Sequence, residues 1–299
     1  MGIRYDAGEV ITAMVTPFNE KLEIDFDAVE KLAKYLANNG SDAILVAGTT
    51  GESPTLTHDE ELELLSVVKA AVGSKAKIVM GAGSNCTETA VTMSKKVQAK
   101  GADALLSVVP YYNKPSQRGL IEHFGTIARS TDLPIILYNI QGRTGINMQG
   151  GTIAAIARQN PNVVAVKQSN SDLDLVSDIV AQCPDDFIVY SGDDSLTLPM
   201  LSLGAHGVIS VASHLIGTEI KEMVTKFKSG DIKEAKKLHY KCLPLFKNLF
   251  IAPNPTPVKT ALAEWGIVTN NVRLPLVTVS EEEKAKILKV LADYQKLSA

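Results

Sequence analysis

Eight short apolar segments, each followed by an amphipathic segment, constrain the fold of this chain more than any other feature. The apolar segments are rich in β-branched residues, which is typical of strands buried on both faces. Strands that alternate with helices predict a parallel sheet covered by helices. Eight such units predict a closed (β/α)8 barrel, a TIM barrel. The alternative is an open doubly wound sheet, which is disfavoured because no G-x-G-x-x-G follows the first strand.

The predicted elements divide the chain into two regions. Strands are expected at Val10–Phe18, Ala43–Gly48, Lys77–Gly83, Ala104–Pro110, Pro134–Ile140, Val163–Lys167, Phe187–Gly192 and Gly207–Val211. The intervening helices are expected at Asp25–Asn39, Thr57–Val72, Thr87–Ala99, Gln117–Ser130, Gln149–Gln159, Asp172–Ala181, Ser195–Leu203 and Ile216–Lys228. Later segments read only as helices: Asp231–Leu249, Pro257–Trp265 and Ser280–Leu297. We therefore expect a catalytic barrel at residues 1–229 and, at 230–299, a C-terminal helical appendage used for packing between subunits.

Composition excludes several classes of protein. The net charge is −3 with scattered Lys and Arg, which argues against a nucleic-acid or membrane surface. No apolar run approaches the length of a membrane span, and Met1–Asp6 lacks the pattern of a signal peptide. The three cysteines, Cys86, Cys183 and Cys242, are odd in number and far apart, which fits a reducing cytoplasm.

Chemistry in such barrels sits at the C-terminal ends of the strands. The residues at or just after the ends of the predicted strands are mostly polar: Thr49, Thr50, Tyr112, Tyr138, Arg143, Lys167, Gly192, Asp193, Asp194 and Ser210. If the barrel is correct, these groups meet at one mouth, and Lys167 faces phenols and hydroxyls. A neutral lysine amine in such a place can attack a ketone and form a Schiff base. The alternative is a strand-end lysine that is solvated or paired with a carboxylate.

Other candidates also have ordinary explanations. The turn Gly48–Glu52 is rich in N–H groups and hydroxyls and could bind a carboxylate or phosphate, or it could be a plain loop. Tyr112 and Tyr138 could transfer protons, or they could pack with their phenol tips in water. Arg143 could clamp a carboxylate, or it could lie on the surface.

Several residues are expected to be structural. Asp193 or Asp194 should cap the short helix after strand seven rather than bind magnesium. Cys86 lies at a helix start that could lower its thiol pKa, but no histidine is placed to activate it. None of the histidines shows zinc-ligand spacing: His58, His123, His206, His214 and His239.

Taken together, these motifs resemble the lysine-dependent class I aldolases grouped with dihydrodipicolinate synthase and N-acetylneuraminate lyase. The resemblance runs from about Ile11 to the C-terminus. It rests on Gly48-Thr49-Thr50-Gly51-Glu52-Ser53, Pro110-Tyr111-Tyr112-Asn113, Tyr138-Asn139, Arg143-Thr144-Gly145, Val166-Lys167, Ser191-Gly192-Asp193-Asp194 and Gly207-Val208-Ile209-Ser210-Val211. The twin threonine and Arg-Thr-Gly resemble the dihydrodipicolinate synthase branch.

The resemblance implies an enzyme of lysine biosynthesis that condenses pyruvate with aspartate 4-semialdehyde. It implies that Lys167 forms the Schiff base, Tyr138 relays protons, and Thr49 and Tyr112 complete a hydroxyl chain, with Tyr112 donated by a neighbouring subunit. It also implies a homotetramer built as a dimer of dimers, and neither a metal nor an organic cofactor. The substrate-binding residues that it implies are Thr50, Ile209, Arg143 and Gly192.

Two departures from the family pattern affect these expectations. Gln141 stands where the family often has proline. Because proline pre-sets the loop backbone, the orientation of Arg143 is less fixed here. In lysine-inhibited members, a site at the subunit interface uses residues matching Ser53, His58, Asn85 and Tyr111. Glu61 and Thr89 stand where such members tend to carry His and Glu, so we expect weak or absent inhibition by lysine.

Three other functions remain open at the level of sequence. A sister activity, such as a 2-keto-3-deoxy sugar acid aldolase or dehydratase or an N-acetylneuraminate lyase-like aldolase, would share Lys167, Tyr138 and Thr50. A non-catalytic keto-acid sensor would not need both Lys167 and Tyr138. A phosphate isomerase would need a Glu base and a His at strand ends, and the sequence offers neither.

Overall fold

The computed structural model describes residues 5–298, with side chains as far as residue 296. Residues 1–4, part of the segment whose pattern was compared with a signal peptide, and residue 299 lie outside the described part. The strands are β1 (Val10–Ala13), β2 (Ala43–Val46), β3 (Lys77–Gly81), β4 (Ala104–Val108), β5 (Ile135–Asn139), β6 (Val163–Gln168), β7 (Ile188–Ser191) and β8 (Gly207–Ser210).

The strands confirm the predicted fold class. They are parallel and follow one another in sequence order in a closed barrel. The segments are buried almost throughout, as continuous apolar runs in a parallel sheet should be. The helices between and after them are α1 (Phe26–Asn38), α2 (His58–Val72), α3 (Thr87–Lys100), α4 (Gln117–Ala128), α5 (Gln141–Thr144), α6 (Gly150–Gln159), α7 (Leu173–Gln182), α8 (Thr197–Ser202), α9 (Ser213–Lys228), α10 (Ile232–Asn248), α11 (Thr256–Glu264) and α12 (Glu281–Ser298).

Capping residues define the helix ends as the sequence predicted. The side chain of Asp25 accepts a hydrogen bond from the backbone N–H of Ala28 at the start of α1. Thr57 and Glu60 form a capping box at the start of α2. Gly101 ends α3 in the left-handed conformation, with φ of 77°.

Most predicted strands extend too far at their C-terminal ends. β1 ends at Ala13 instead of Phe18, and β2 ends at Val46 instead of Gly48. The physical reason in β2 is the backbone of Ala47, whose φ of 50° cannot continue a strand. The apolar character of each segment continues into the loop, because the loop is also buried, so composition alone does not mark the strand end.

Two differences concern helices. The short helix α5 was not predicted, since four residues that include a glycine have no detectable period. α9 begins at Ser213, before the predicted start near Ile216, and its backbone is interrupted at Ile216 by a non-helical φ of −134°.

The chain forms two compact units. One consists of the residues up to Glu9 together with Lys77–Ile209, and contains β3 to β7 with most of β8. The other consists of Val10–Ala76 and the chain from Ser210 onward, and contains β1, β2, α1, α2 and the helices α9 to α12. Within residues 5–298, no helix combines the length and apolar character needed to cross a membrane.

Candidate active site

Lys167 is a buried residue near the end of β6. Only 6% of its surface is exposed, and its Nζ lies 4.4 Å from the centroid of the Tyr138 ring. Lys167 and Tyr138 are register partners on neighbouring parallel strands, so their side chains project from the same face of the sheet. Among the described residues, no hydrogen bond or carboxylate partner holds the ammonium. The contact is therefore a cation over an aromatic face.

Gly192 provides the space that Lys167 occupies. A Cβ atom at position 192 would lie 3.0 Å from Cε of Lys167 and 1.7 Å from Oγ of Ser169. Any other residue would therefore displace the Ser169 side chain and press against the lysine arm. The backbone N–H of Gly192 donates to the carbonyl of Gln168 at 2.8 Å, which joins β7 to the end of β6. Ile209, the other residue expected to line a substrate, is buried in β8.

The loop after β5 is held by a buried amide, Asn139. Its Nδ2 donates to Oδ1 of Asn147, to the carbonyl of Met148 and to Oε1 of Gln168. Its Oδ1 accepts from the backbone N–H of Met148 at 2.9 Å. These bonds use both ends of the amide. Asn139 therefore fixes the loop that carries Arg143 against the strand that carries Lys167.

Arg143 is exposed and lies on the one-turn helix α5. This turn forms although Gln141, and not proline, occupies its first position. Proline and glutamine are both acceptable there, because the first N–H of a helix has no partner within the helix. Gly145 ends the turn with φ of 73°. The guanidinium is thus presented to solvent from a defined backbone.

Tyr112 lies in the segment after β4 and is 90% exposed. Its backbone has φ of 72°, a region that a residue with a bulky side chain rarely adopts. Such strain persists only where the surroundings maintain it, and it is commonly found at functional sites. Tyr112 is therefore strained and presents its phenol away from its own chain.

In the other unit, Thr49 and Thr50 follow β2 in a tight turn. Ala47 and Glu52, on either side, both have positive φ, 50° and 57°. Thr50 is buried, and its Oγ1 accepts a hydrogen bond of 2.9 Å from Nδ2 of Asn254. Since the oxygen already accepts, the hydroxyl hydrogen of Thr50 is left to donate to another group, such as a carboxylate.

The same turn ends in a buried ion pair. Nζ of Lys259 lies 2.5 Å from Oε1 of Glu52, and both side chains are fully buried. Lys259 also donates to the carbonyl of Asn271, and Oε2 of Glu52 accepts from the backbone N–H of Arg273. Burial lowers the pKa of Lys259 to about 8, and the charge of Glu52 opposes that shift. The turn that carries the two threonines is thus tied to the C-terminal region.

Three residues expected to be structural have local partners. Oδ1 of Asp193 accepts from the N–H and hydroxyl of Ser195, which confirms the predicted cap. A hydrogen bond with Thr89 and backbone N–H groups lower the pKa of the Cys86 thiol, as its place at a helix start predicted. His214 is buried, which lowers its pKa to about 4, and both its ring nitrogens bond to backbone groups.

Two functional contacts, those of Asn254 and Lys259, do not follow from the sequence patterns. Both residues lie in the C-terminal region, about 200 residues from the turn that they contact. A signal was present in one case: Lys259 stands in the apolar run Pro257–Leu262, where a lysine has no route to water. The sequence marks Asn139 only as the neighbour of Tyr138.

Known proteins match this chain over nearly its whole length. The model of the dihydrodipicolinate synthetase family matches residues 6–294. A 4-hydroxy-tetrahydrodipicolinate synthase of Moorella thermoacetica is 50% identical over 286 residues, which are 96% of this chain and 98% of that protein. A dihydrodipicolinate synthase of Cyanidioschyzon merolae, crystallised with lysine bound, superposes with a TM-score of 0.95 at 48% identity over 97% of this chain and 98% of the other. A monomeric dihydrodipicolinate synthase variant gives a TM-score of 0.94 at 41% identity, with 96% of each chain covered.

Proposed function

This chain belongs to the dihydrodipicolinate synthetase family, and from that premise we propose that Lys167 forms a Schiff base with pyruvate. The chain catalyses the 4-hydroxy-tetrahydrodipicolinate synthase reaction, which condenses pyruvate with L-aspartate 4-semialdehyde in diaminopimelate and lysine biosynthesis. It is a lyase of the class I aldolase type. One observation supports the assignment of Lys167 above all: this buried residue places its amine 4.4 Å from the centroid of the Tyr138 ring.

The proposed chemistry begins with the amine of Lys167 in its neutral form. It attacks C2 of pyruvate, and loss of water from the carbinolamine gives the imine. A methyl proton then leaves, and the resulting enamine carbon attacks the aldehyde carbon of the semialdehyde. The low exposure of Lys167 supports this sequence, because an imine shielded from water is protected from hydrolysis.

Proton transfer is assigned to a chain of hydroxyls. Tyr138 is the phenol next to Lys167, on the neighbouring strand, and we assign it the relay to the imine. Thr49 and Tyr112 complete the relay to solvent, as the family resemblance implies. The half-buried position of Thr49 and the exposed phenol of Tyr112 support roles at the solvent end of the chain.

Two anionic substrates require two carboxylate sites. We assign the pyruvate carboxylate to Thr50, whose hydroxyl hydrogen is left free by the bond from Asn254. The main chain at Ile209 and at Gly192 would line the bound keto acid. Arg143 would bind the semialdehyde carboxylate, since its planar guanidinium suits bidentate contact and stays exposed on α5.

Reduction of the imine tests this assignment directly. Borohydride with pyruvate should add a covalent adduct at Lys167, and Lys167→Ala should take up none. Peptide mapping provides an internal control, because the other buried lysine, Lys259, should stay unmodified. An adduct at Lys259, or none in the wild-type protein, would contradict the assignment. A panel of sugar acids beside aspartate semialdehyde would then measure selectivity against sister activities.

We further propose that the protein is a homotetramer, a dimer of dimers in which Tyr112 serves the neighbouring site. Its 90% exposure and strained backbone support this role. Mixing Tyr112→Phe with Lys167→Ala subunits tests it. If Tyr112 acts in the partner's site, mixed dimers contain one intact site and regain activity. If it acts in its own site, every site in the mixture stays defective, and the proposal is wrong.

Feedback inhibition by lysine is proposed to be weak or absent. Glu61, where inhibited relatives tend to carry His, is buried and accepts the hydroxyl of Ser53. Ser53 is thereby engaged within its own chain, which supports the expectation. A steady-state assay with sub-millimolar lysine tests it, and clear inhibition would contradict it.

The barrel of residues 1–229 is proposed to carry the reacting groups, while residues 230–299 support them. Asn254 and Lys259 favour this division, since they contact the turn after β2. A chain that ends at residue 229 should then fail to trap pyruvate, and a fully active truncated chain would refute the supporting role.

A cytoplasmic location is also inferred. The cysteines Cys86, Cys183 and Cys242 are free thiols, as is usual in a reducing compartment. Cell fractionation tests the location, and recovery of the activity outside the cytoplasmic fraction would contradict it.

A further inference from the structure

Ser169 is a buried hydroxyl for which the proposed chemistry has so far assigned no role. It follows Lys167 by two positions at the end of β6. Its Oγ is inaccessible to solvent, and no residue in the described part of the chain forms a hydrogen bond with it. Buried polar atoms without a partner are rare in proteins, and each one calls for an explanation such as a catalytic role.

The backbone places the side chains of Ser169 and Lys167 on the same face of the strand. Its N–H donates to the carbonyl of Asn139 at 2.9 Å, and on the other side the N–H of Gly192 donates to the carbonyl of Gln168. Strand-like pairing thus continues past the last residue of β6. Because alternate residues of a strand point to one face, positions 167 and 169 share that face.

The space at Gly192 gives independent support for this placement. Oγ of Ser169 lies 1.7 Å, and Cε of Lys167 3.0 Å, from the point that a Cβ at position 192 would occupy. Both side chains therefore converge on the same small volume. The hydroxyl lies beside the lysine arm that would carry the imine.

We propose that Ser169 is a further catalytic residue, whose hydroxyl donates a hydrogen bond to the aldehyde oxygen of the second substrate. This inference rests on the proposed function of Lys167. In pyruvate, the carboxylate is assigned to Thr50, the C2 oxygen leaves as water, and the methyl carbon has no polar atom. The aldehyde oxygen is thus the group near the imine that still lacks a donor.

The hydrogen bond from Ser169 would act at the step that forms the carbon–carbon bond. When the enamine carbon attacks the aldehyde carbon, the electrons of the carbonyl π bond move to its oxygen, which becomes negative and then takes up a proton. A donor fixed in advance stabilises that developing charge. Formation of the imine and of the enamine precedes this step and does not need Ser169.

Partial reactions separate this role from a structural one. Ser169→Ala should trap pyruvate with borohydride and exchange the pyruvate methyl protons with deuterated water at rates within about twofold of wild type. Its kcat/KM for aspartate semialdehyde should fall by about 10²-fold, the usual effect of removing one such donor. Ser169→Thr, which keeps the hydroxyl, should restore most of the condensation rate. Ser177→Ala, an exposed serine in α7 that bonds only to a helix carbonyl, is the matched control.

Two outcomes in Ser169→Ala would overturn the inference. Condensation by Ser169→Ala at the wild-type rate would remove the need for a donor. An equal loss of proton exchange and condensation would mean that Ser169 acts by positioning Lys167. A wild-type protein with neither adduct nor exchange would instead refute the Schiff base itself, and the role of Ser169 with it.

Discussion

Glu61 is a buried carboxyl group whose ionisation the folded chain resists. It lies in α2 with 5% of its surface exposed, and Oε1 accepts the hydroxyl of Ser53 at 2.6 Å. Burial raises its pKa from 4.5 to about 7; the Ser53 hydrogen bond opposes that rise, and the nearby charge of Glu60 adds to it. Folding therefore favours the protonated form.

This pKa gives the sign and size of a pH effect on stability. Below about pH 4.5 both the folded and the unfolded chain hold the proton. Between about 4.5 and 7 the unfolded chain releases it while the folded chain keeps it, so Glu61 makes stability fall as pH rises through this window. At about 1.4 kcal/mol for each pH unit, the full effect above pH 7 has an upper limit of about 3.5 kcal/mol.

Glu61→Gln removes the charge and keeps an oxygen that accepts the hydroxyl of Ser53. We expect the variant to be more stable than wild type by about 1–3 kcal/mol at pH 8, with little difference at pH 4.5. Urea unfolding at both pH values and one fixed protein concentration measures this difference. Glu63→Gln, an exposed position on the same helix, should show no such dependence. A loss of stability in Glu61→Gln at pH 8, or the same change at both pH values, would refute the reasoning.

Four further substitutions test the remaining parts of the site. Tyr138→Phe should still trap pyruvate but slow turnover by about 10²–10⁴-fold in a steady-state assay, and full activity would exclude a proton relay. Lys259→Met should lower the free energy of unfolding by about 3–5 kcal/mol, because the buried carboxylate of Glu52 loses its partner. Adding Glu52→Gln should recover part of that loss in urea titrations, and purely additive losses would show that the two side chains do not interact. Gly192→Ala should slow pyruvate trapping by about 10²-fold, because the new methyl group would overlap the Ser169 hydroxyl and crowd Cε of Lys167, which shifts the lysine arm; trapping at the wild-type rate would contradict that role.

Much of the fold follows from local patterns. Each β-branched run is long enough to mark a strand, and the caps at Asp25, Thr57 and Gly101 mark helix ends with local hydrogen bonds. Strand ends are harder, because they depend on where the backbone leaves the sheet. At Ala47 that point is set by a positive φ, which the presence of an alanine in the sequence does not predict.

The candidate site likewise contains one contact that could be predicted from sequence and one that could not. Lys167 and Tyr138 could be paired from sequence because each ends a strand of a consecutive pair, and parallel register then brings them together. The bond between Asn254 and Thr50 could not, since it joins residues about 200 positions apart through side chains alone. No periodicity carries information on such a contact.

The ion pair between Glu52 and Lys259 explains how the C-terminal region supports the turn that carries Thr50. Burying two charges costs more than their attraction returns unless further hydrogen bonds satisfy them. Here the carbonyl of Asn271 accepts from Lys259, and the backbone N–H of Arg273 donates to Glu52. The carboxylate is therefore held by Lys259 of α11 and by the backbone of Arg273. Glu52 has φ of 57°, a conformation that a glutamate does not favour by itself. The contacts of its side chain must therefore supply the free energy that keeps the turn in place. Thr50 lies two residues earlier in that turn, so a change that loosens α11 should reach the proposed carboxylate site before it reaches Lys167.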